Sequence, residues 1–251
     1  MGVSFRWLTQ LDADFPVATF SIDVECVADG PGYADRMVAR VAVVDETEQT
    51  VLDALVSPSR PVFSYLTPLT GLTEADFADP TRTVLPFDET VAAVRALLPR
   101  NARLVGQNIH KDTTWLGLVP GRDYEEAIDI GKLFRVEAPP WFRRKFTTFS
   151  LRHEVLHLLG VDIQAGVHDP VVDALYSLRL WAAYGLAGDE MRLQVARAHL
   201  AAVPSTPSFS RIMPVIDGVA MSRSATPAVS PAVSPAVSPP SSPRAAAPPA
   251  N

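Results

Sequence analysis

Residues 17–27, VATFSIDVECV, are the most apolar strand-like run of the chain, and two carboxylates sit inside it. At a period of two, Asp23 and Glu25 point to one face while Ile22, Val24 and Cys26 point to the other. An ionised carboxylate in a buried strand is costly unless something cationic compensates, and two at i and i+2 also repel each other. Either the run is an edge strand with a solvated acidic face, or a divalent cation lies against it. Mg²⁺ or Mn²⁺ would answer both objections, because these ions prefer carboxylate oxygen ligands. Any fold for this chain has to meet one of those two conditions.

The surrounding pattern predicts an α/β domain. Residues 36–45 and 50–56 are β-rich and joined by the polar turn Glu46-Thr47-Glu48-Gln49, which with 17–27 predicts an antiparallel three-strand meander. Pro58 and Pro61 break the sheet. Short helical pieces follow over 64–80, punctuated by Gly71 and Pro80. Asp88 can cap a helix over 89–98, stopped by Pro99. Strands are expected at 103–106 and 126–130, then helices at about 148–159, 170–185 and 189–202. Strands first, then strands alternating with helices, indicate a mixed sheet with helices packed on it. From 222 onward Pro, Ser and Ala dominate, with 8 of the chain's 23 prolines and three copies of Ala-Val-Ser-Pro over 228–239. Such a composition cannot bury a core. The expected organisation is an N-terminal extension over 1–16, one domain over 17–202, and a disordered tail over 203–251.

Composition narrows the function classes. A formal net charge of −6 argues against a protein held to nucleic acid by bulk positive charge, though not against an enzyme whose carboxylates hold metal ions. The single cysteine, Cys26, excludes an intramolecular disulfide and any cysteine-rich zinc module. No signal-peptide pattern and no run of about 18 apolar residues is visible, so the expectation is an intracellular chain, in cytoplasm or nucleus, with no membrane span.

Two further segments carry chemistry. In Leu104-Val105-Gly106-Gln107-Asn108-Ile109-His110-Lys111-Asp112 a short apolar strand runs into Gly106, and Asp112 falls at the start of the next helix. Read alone, Asp112 serves the helix dipole. In His168-Asp169-Pro170-Val171-Val172-Asp173, Asp169 and Pro170 read as N-cap and N1 of a helix. Asp173 then lies near the first turn and His168 just before it.

Taken in order, Asp-x-Glu on a first strand, Gly-x5-Asp, and His-x4-Asp opening a late helix resemble the DEDDh 3′–5′ exonucleases of the RNase H-like superfamily. The likeness is to their RNA exonuclease and deadenylase-nuclease branch. The matching stretches are Phe20–Val27, Thr67–Phe77, Leu104–Asp112, Ser150–Gln164 and His168–Leu180. One departure is Gln107, where the family often has His after the glycine. The resemblance implies an RNase H-like mixed five-stranded sheet flanked by helices. It also implies two divalent cations, Mg²⁺ or Mn²⁺, held by Asp23, Glu25, Asp112 and Asp173. His168 would take the proton of the attacking water. The implied substrate is the 3′ end of single-stranded nucleic acid, RNA by the branch, with nucleoside 5′-monophosphates released.

A candidate strand-binding segment lies between 135 and 152. Arg135, Arg143, Arg144, Lys145 and Arg152 stand there against one acid, Glu137, interleaved with Trp141, Phe142, Phe146 and Phe149. Bases stacked on aromatics with phosphates on Arg or Lys is a usual way to hold a single strand. A basic surface loop anchored by its aromatics fits the same residues. Cys26 and Val27, next to the acids on their strand, complete the candidate substrate contacts, with Cys26 equally readable as a small packing residue.

His153-Glu154-Val155-Leu156-His157 is an HExxH string, which in metallopeptidases holds zinc. Helical projection sets Phe149, Leu151, Val155, Leu156, Leu158 and Leu159 on one half and Ser150, His153, Glu154 and His157 on the other. The latter are therefore expected to form an outward polar face. Gly160 ends the helix and no third-ligand motif follows, which counts against a zinc peptidase.

Overall fold

The computed structural model describes residues 18–141, 143–164 and 166–225. The apolar run forms β1 (Thr19–Ala28), in which every residue but the half-buried Asp23 is buried. A strand buried on both faces needs a layer above and below it and neighbours on both edges. β2 (Arg36–Asp45) pairs antiparallel with β1, and β3 (Thr50–Val56) antiparallel with β2, as the meander predicts. Asp45 closes the turn between them, its Oδ1 accepting from the Thr47 and Gln49 amides at 2.9 and 3.1 Å.

The chain then makes two short helices, α1 (Thr67–Thr70) and α2 (Glu74–Ala78), and a two-residue strand, β4 (Val84–Leu85), before α3 (Phe87–Leu97). α3 begins two residues ahead of the expected start, with Pro86 at the N-cap. Asp88 therefore sits in the first turn and not at the cap. β5 (Arg103–Gly106) runs parallel to β1, followed by α4 (His110–Trp115). β6 (Glu126–Asp129) runs parallel to β5 and leads into α5 (Ile130–Leu133). A small hairpin, β7 (Val136–Glu137) and β8 (Phe146–Thr147), precedes α6 (Leu151–Leu159), α7 (Pro170–Leu180) and α8 (Glu190–Ala202). α7 ends in a π turn over Trp181–Gly185.

The sheet order is β4-β3-β2-β1-β5-β6. It is mixed, as expected, but has six strands where five were anticipated. β4 is only two residues long, and a pair of residues has no period to read; its parallel pairing with β3 makes it a strand. Helices cover both faces. On one, Ile22, Val24 and Cys26 pack with Val91 and Val94 of α3 and with Ile109 and Leu116 around α4. On the other, Val105 packs with Leu151 and Val155 of α6 and Leu193, Ala196 and Leu200 of α8, while Ala174 and Leu178 of α7 pack on Val44.

The domain does not stop at 202. Residues 203–225 fold back with α9 (Phe209–Ile212) and a hairpin of β9 (Val215–Ile216) and β10 (Val219–Ala220). Ile216 and Val219 are buried against Ala28 and Leu66. Ser64 Oγ donates to Asp217 Oδ2 at 2.6 Å, and the Arg36 guanidinium donates to the Ala220 carbonyl at 2.8 Å. A few long-range contacts hold this strap, and such contacts leave no periodic trace in sequence. The extension over 1–16, the repeats over 228–239 and Phe142 lie outside the described residues. Among the described residues no helix is long and apolar enough to cross a membrane.

Candidate active site

β1 presents Asp23 and Glu25 on the face covered by α7, opposite the Ile22, Val24 and Cys26 side chains. α7 starts as its sequence predicts. Asp169 is the N-cap, its Oδ1 accepting from the Val171 amide at 2.9 Å, and Pro170 occupies the first turn. That start fixes Asp173 one turn in, over β1. His168, just ahead of the cap, is held from behind, its amide donating to the Leu69 carbonyl at 2.7 Å. Asp112 arrives from the other side. β5 ends at Gly106, where a Cβ would lie 3.0 Å from the Ile22 carbonyl and 2.8 Å from Ile109, so a side chain here would press on β1 and on the turn into α4. α4 then delivers Asp112, whose Oδ1 accepts from the Val24 amide at 3.1 Å.

The five residues converge. His168 Nδ1 lies 3.3 Å from Asp173 Oδ2 and 4.0 Å from Glu25 Oε1. Glu25, His168 and Asp173 each offer a donor atom within 4.8 Å of the others. Asp23 and Asp112 line the same cavity, of about 440 Å³. Gln164, not singled out from sequence as a site residue, is part of the cluster. Its Nε2 donates to both Asp173 oxygens, at 3.2 and 3.0 Å, and stands 3.2 Å from His168 Nδ1. A lone glutamine in the loop before α7 carries no signal of that role.

The electrostatics describe a site short of positive charge. Burial pushes the Asp23 carboxyl well above its usual range, and the charges of Asp173, Asp112 and Glu25 push it further. Burial likewise raises Asp112 well above its ordinary value, despite the Val24 amide. Glu25 is raised to about 7 by burial, with Asp173 adding to the rise and His168 and Arg40 opposing it. For His168, burial works against the imidazolium, but the hydrogen bond and charge of Asp173 and the charge of Glu25 outweigh it, so its pKa is raised. Arg40 is already bound to Asp53 through two hydrogen bonds, of 2.8 and 2.9 Å. Clustered oxygen donors that cannot all ionise alone are the donor set a hard divalent cation takes, so the residues fit the implied metal.

The expected substrate contacts fare differently. Cys26 and Val27 are buried in the core and do not border the cavity, so neither side chain is placed to touch a substrate there. Arg143, Arg144 and Lys145 are exposed, and Trp141 is 81% exposed. They lie on the loop of the β7–β8 hairpin, where Arg135 stacks over the Phe146 ring at 4.0 Å. Of these four, Arg144 borders a second cavity of about 1080 Å³ that shares Ser150, Ser208 and Ser210 with the acidic one.

The HExxH string does not form the expected outward face. His153 and Glu154 are buried at 2% and 0% exposure. His153 Nδ1 lies 3.0 Å from Thr206 Oγ1 and accepts from the Thr206 amide at 3.2 Å, while Nε2 lies 3.1 Å from the Leu200 carbonyl. Both ring nitrogens are thus engaged in fastening the segment after α8. A projection of α6 alone turns these residues outward; in the fold α8 and the strap cover His153, while Glu154 lies beside Gln107 and Asp129.

A mixed sheet with two acids on its central strand, a third after the neighbouring parallel strand and a His-x4-Asp helix start defines an RNase H-like nuclease domain of the DEDDh arrangement. No family model matches the chain. RNA exonuclease 4 of Cryptococcus neoformans var. neoformans is 31% identical over 170 residues, which is 66% of this chain and 38% of that protein. PolyA-specific ribonuclease subunit panl-2 of Caenorhabditis elegans is 30% identical over 197 residues, 74% of this chain and 16% of that protein. The chain thus spans well under half of either relative. The Saccharomyces cerevisiae Pan2 pseudoubiquitin hydrolase-RNA exonuclease module, solved with AAUUAA RNA, shares the fold with a TM-score of 0.59 at 22% identity. That match covers 76% of this chain and 34% of that one. The chain is thus similar to RNA exonucleases and to a polyA-specific ribonuclease subunit, and its site has the DEDDh arrangement of acids and histidine.

Proposed function

We propose that this chain is a metal-dependent 3′–5′ exoribonuclease that hydrolyses single-stranded RNA from its 3′ end and releases nucleoside 5′-monophosphates. The observation that carries the reading is the convergence of Asp23, Glu25, Asp112 and Asp173 with His168 in one cavity, from three separate segments. Asp23, Glu25, Asp112 and Asp173 would hold two divalent cations, Mg²⁺ or Mn²⁺. When bound, such ions supply Lewis-acid activation of water and charge stabilisation at the attacking and leaving oxygens of a phosphodiester.

The chain's own residues do the rest. His168 accepts the proton of the attacking water. Its Nδ1 donates to the Asp173 carboxylate, which orients the ring and leaves Nε2 as the accepting nitrogen. Gln164 fixes the Asp173 carboxylate through both oxygens, holding a ligand in place as supporting amides do around metal sites. The Val24 amide does the same for Asp112. RNA as substrate is supported by the names of the relatives, RNA exonuclease and polyA-specific ribonuclease. Exposed Arg143, Arg144 and Lys145 would meet the backbone of the strand beyond the reacting end.

The test is a 5′-labelled oligonucleotide incubated with Mg²⁺ or Mn²⁺, and with EDTA, as poly(A), mixed RNA and DNA. A ladder shortening from the 3′ end, abolished by EDTA and stronger on RNA, is expected. Binding without shortening would make the chain a silent module of the same fold.

A further inference from the structure

The acidic cavity has a second, chemically different wall. Besides the carboxylates it is lined by Leu69, Phe209, Ile212 and Met221. Three of these four come from the strap that follows α8. Phe209 is half-buried: it packs on the cluster of Ala28, Leu66, Ile216 and Val219, and its ring meets His168 edge-on, with centroids 5.9 Å apart at 88°. One cavity of about 440 Å³ thus joins an oxygen-rich end to an apolar, aromatic end, with His168 at the junction. A nucleotide has the same two ends. Its phosphate suits the acids once cations are bound, and its base needs a flat apolar surface, which an aromatic ring supplies to any base. The volume lies at the small end of ligand sites, matching one nucleotide better than several.

Resting on the nuclease reading, we propose that Phe209, backed by Leu69, is the surface on which the 3′-terminal base of the substrate lies, so that the C-terminal strap forms part of the substrate site. The strap is suited to this by its anchoring. Ser64–Asp217 and Arg36–Ala220 tie it to the body after Phe209, and His153 grips it before, at Thr206. Phe209 is therefore held from both sides, as a rigid platform should be.

The test is affinity, read by fluorescence anisotropy on the full chain with Ca²⁺ as the bound ion. Two oligoribonucleotides are compared that differ only in whether the 3′-terminal residue carries a base or is abasic. The wild type is expected to prefer the base-ended strand by about 5- to 150-fold, the range that loss of a base–aromatic stack spans. Phe209→Ala and Phe209→Leu should lose that preference and keep affinity for the abasic strand, and Phe209→Trp should retain it. A preference that survives Phe209→Ala overturns the inference, as does an equal loss on both strands, which would mean the ring only holds the strap. Tighter binding of both strands by Phe209→Ala also overturns it, by making the strap a cover. If the wild type binds neither strand, the nuclease reading falls and the inference with it; every other result bears on Phe209 alone.

Discussion

The backbone amide of Val24 donates to Oδ1 of Asp112 at 3.1 Å, across 88 positions of sequence. Val24 lies between Asp23 and Glu25, so this one bond ties the third acid to the strand that bears the first two. It also joins the sheet's central strand to α4 at the point where the charge is most crowded. The acids are thus part of the framework and not side chains hung on it.

Replacing one acid should therefore separate activity from folding. Asp23→Asn and Asp173→Asn are each expected to lower hydrolysis by more than about 100-fold, since loss of a group that merely supports a metal ligand already costs 10- to 100-fold. In EDTA, Asp23→Asn should melt no lower than wild type, because burial and its acidic neighbours disfavour the ionised Asp23 side chain. Single-turnover rates and thermal melts on the same preparations check both halves.

His168 should set the acid limb of the pH–rate profile. A general base works when neutral, so activity falls as pH drops through its pKa, which Asp173 and Glu25 hold up against the opposing effect of burial. His168→Gln is expected to lose about 10²- to 10⁴-fold in rate and to flatten that limb. A profile of unchanged shape in the variant would assign the proton to another group.

Glu154 gives a pH effect remote from the metal ligands. Burial raises its carboxyl well above 4.5, Asp129 adds to the rise, and the nearby Gln107 amide offsets it only in part. Neither Glu154 oxygen has a hydrogen bond of good geometry among the described residues. With the folded pKa above the unfolded one, the folded state keeps a proton that the unfolded chain gives up. Stability due to this group is complete below about pH 4.5 and declines as pH rises towards the folded value, by about 1.4 kcal/mol per pH unit. Glu154→Leu should remove that decline, so its stability gain over wild type should grow from pH 5 to pH 7 in urea titrations. A gain independent of pH would show that Glu154 is not the source.

The basic hairpin loop predicts a salt effect. If Arg143 and Arg144 each meet a phosphate, Arg143→Glu with Arg144→Glu should reduce the slope of log K against log salt by about 0.7 per lost contact. An unchanged slope in equilibrium binding would take this loop off the strand's path.

His153 should prove structural. His153→Ala leaves the Leu200 carbonyl and the Thr206 group without their partner, which costs about 1–3 kcal/mol by denaturant unfolding. Wild-type protein should carry no stoichiometric zinc at this helix.

Much of this protein is local and was therefore open to reading from sequence. β2, β3 and β5 follow their apolar runs to the residue, because short apolar runs and the turns that bound them are short-range signals. The start of α7 is set by Asp169 and Pro170, and with it the position of Asp173. Asp23 and Glu25 declared themselves by being charged where the chain is most apolar. The convergence of those acids with Asp112 and His168 was implied by a resemblance in motif order, and physically it needed β5 to pack against β1 and α7 to lie across it. Only the tertiary structure could decide the rest. It buried His153 against Leu200 of α8 and Thr206 of the strap, and Glu154 beside Gln107 and Asp129, though a helix taken alone turns both outward. It brought Gln164 onto Asp173, and it folded residues past 202 back so that Phe209 meets His168. Periodicity records which face of an element is apolar; which distant segment comes to cover a polar one is settled by packing, and packing writes no period into the chain.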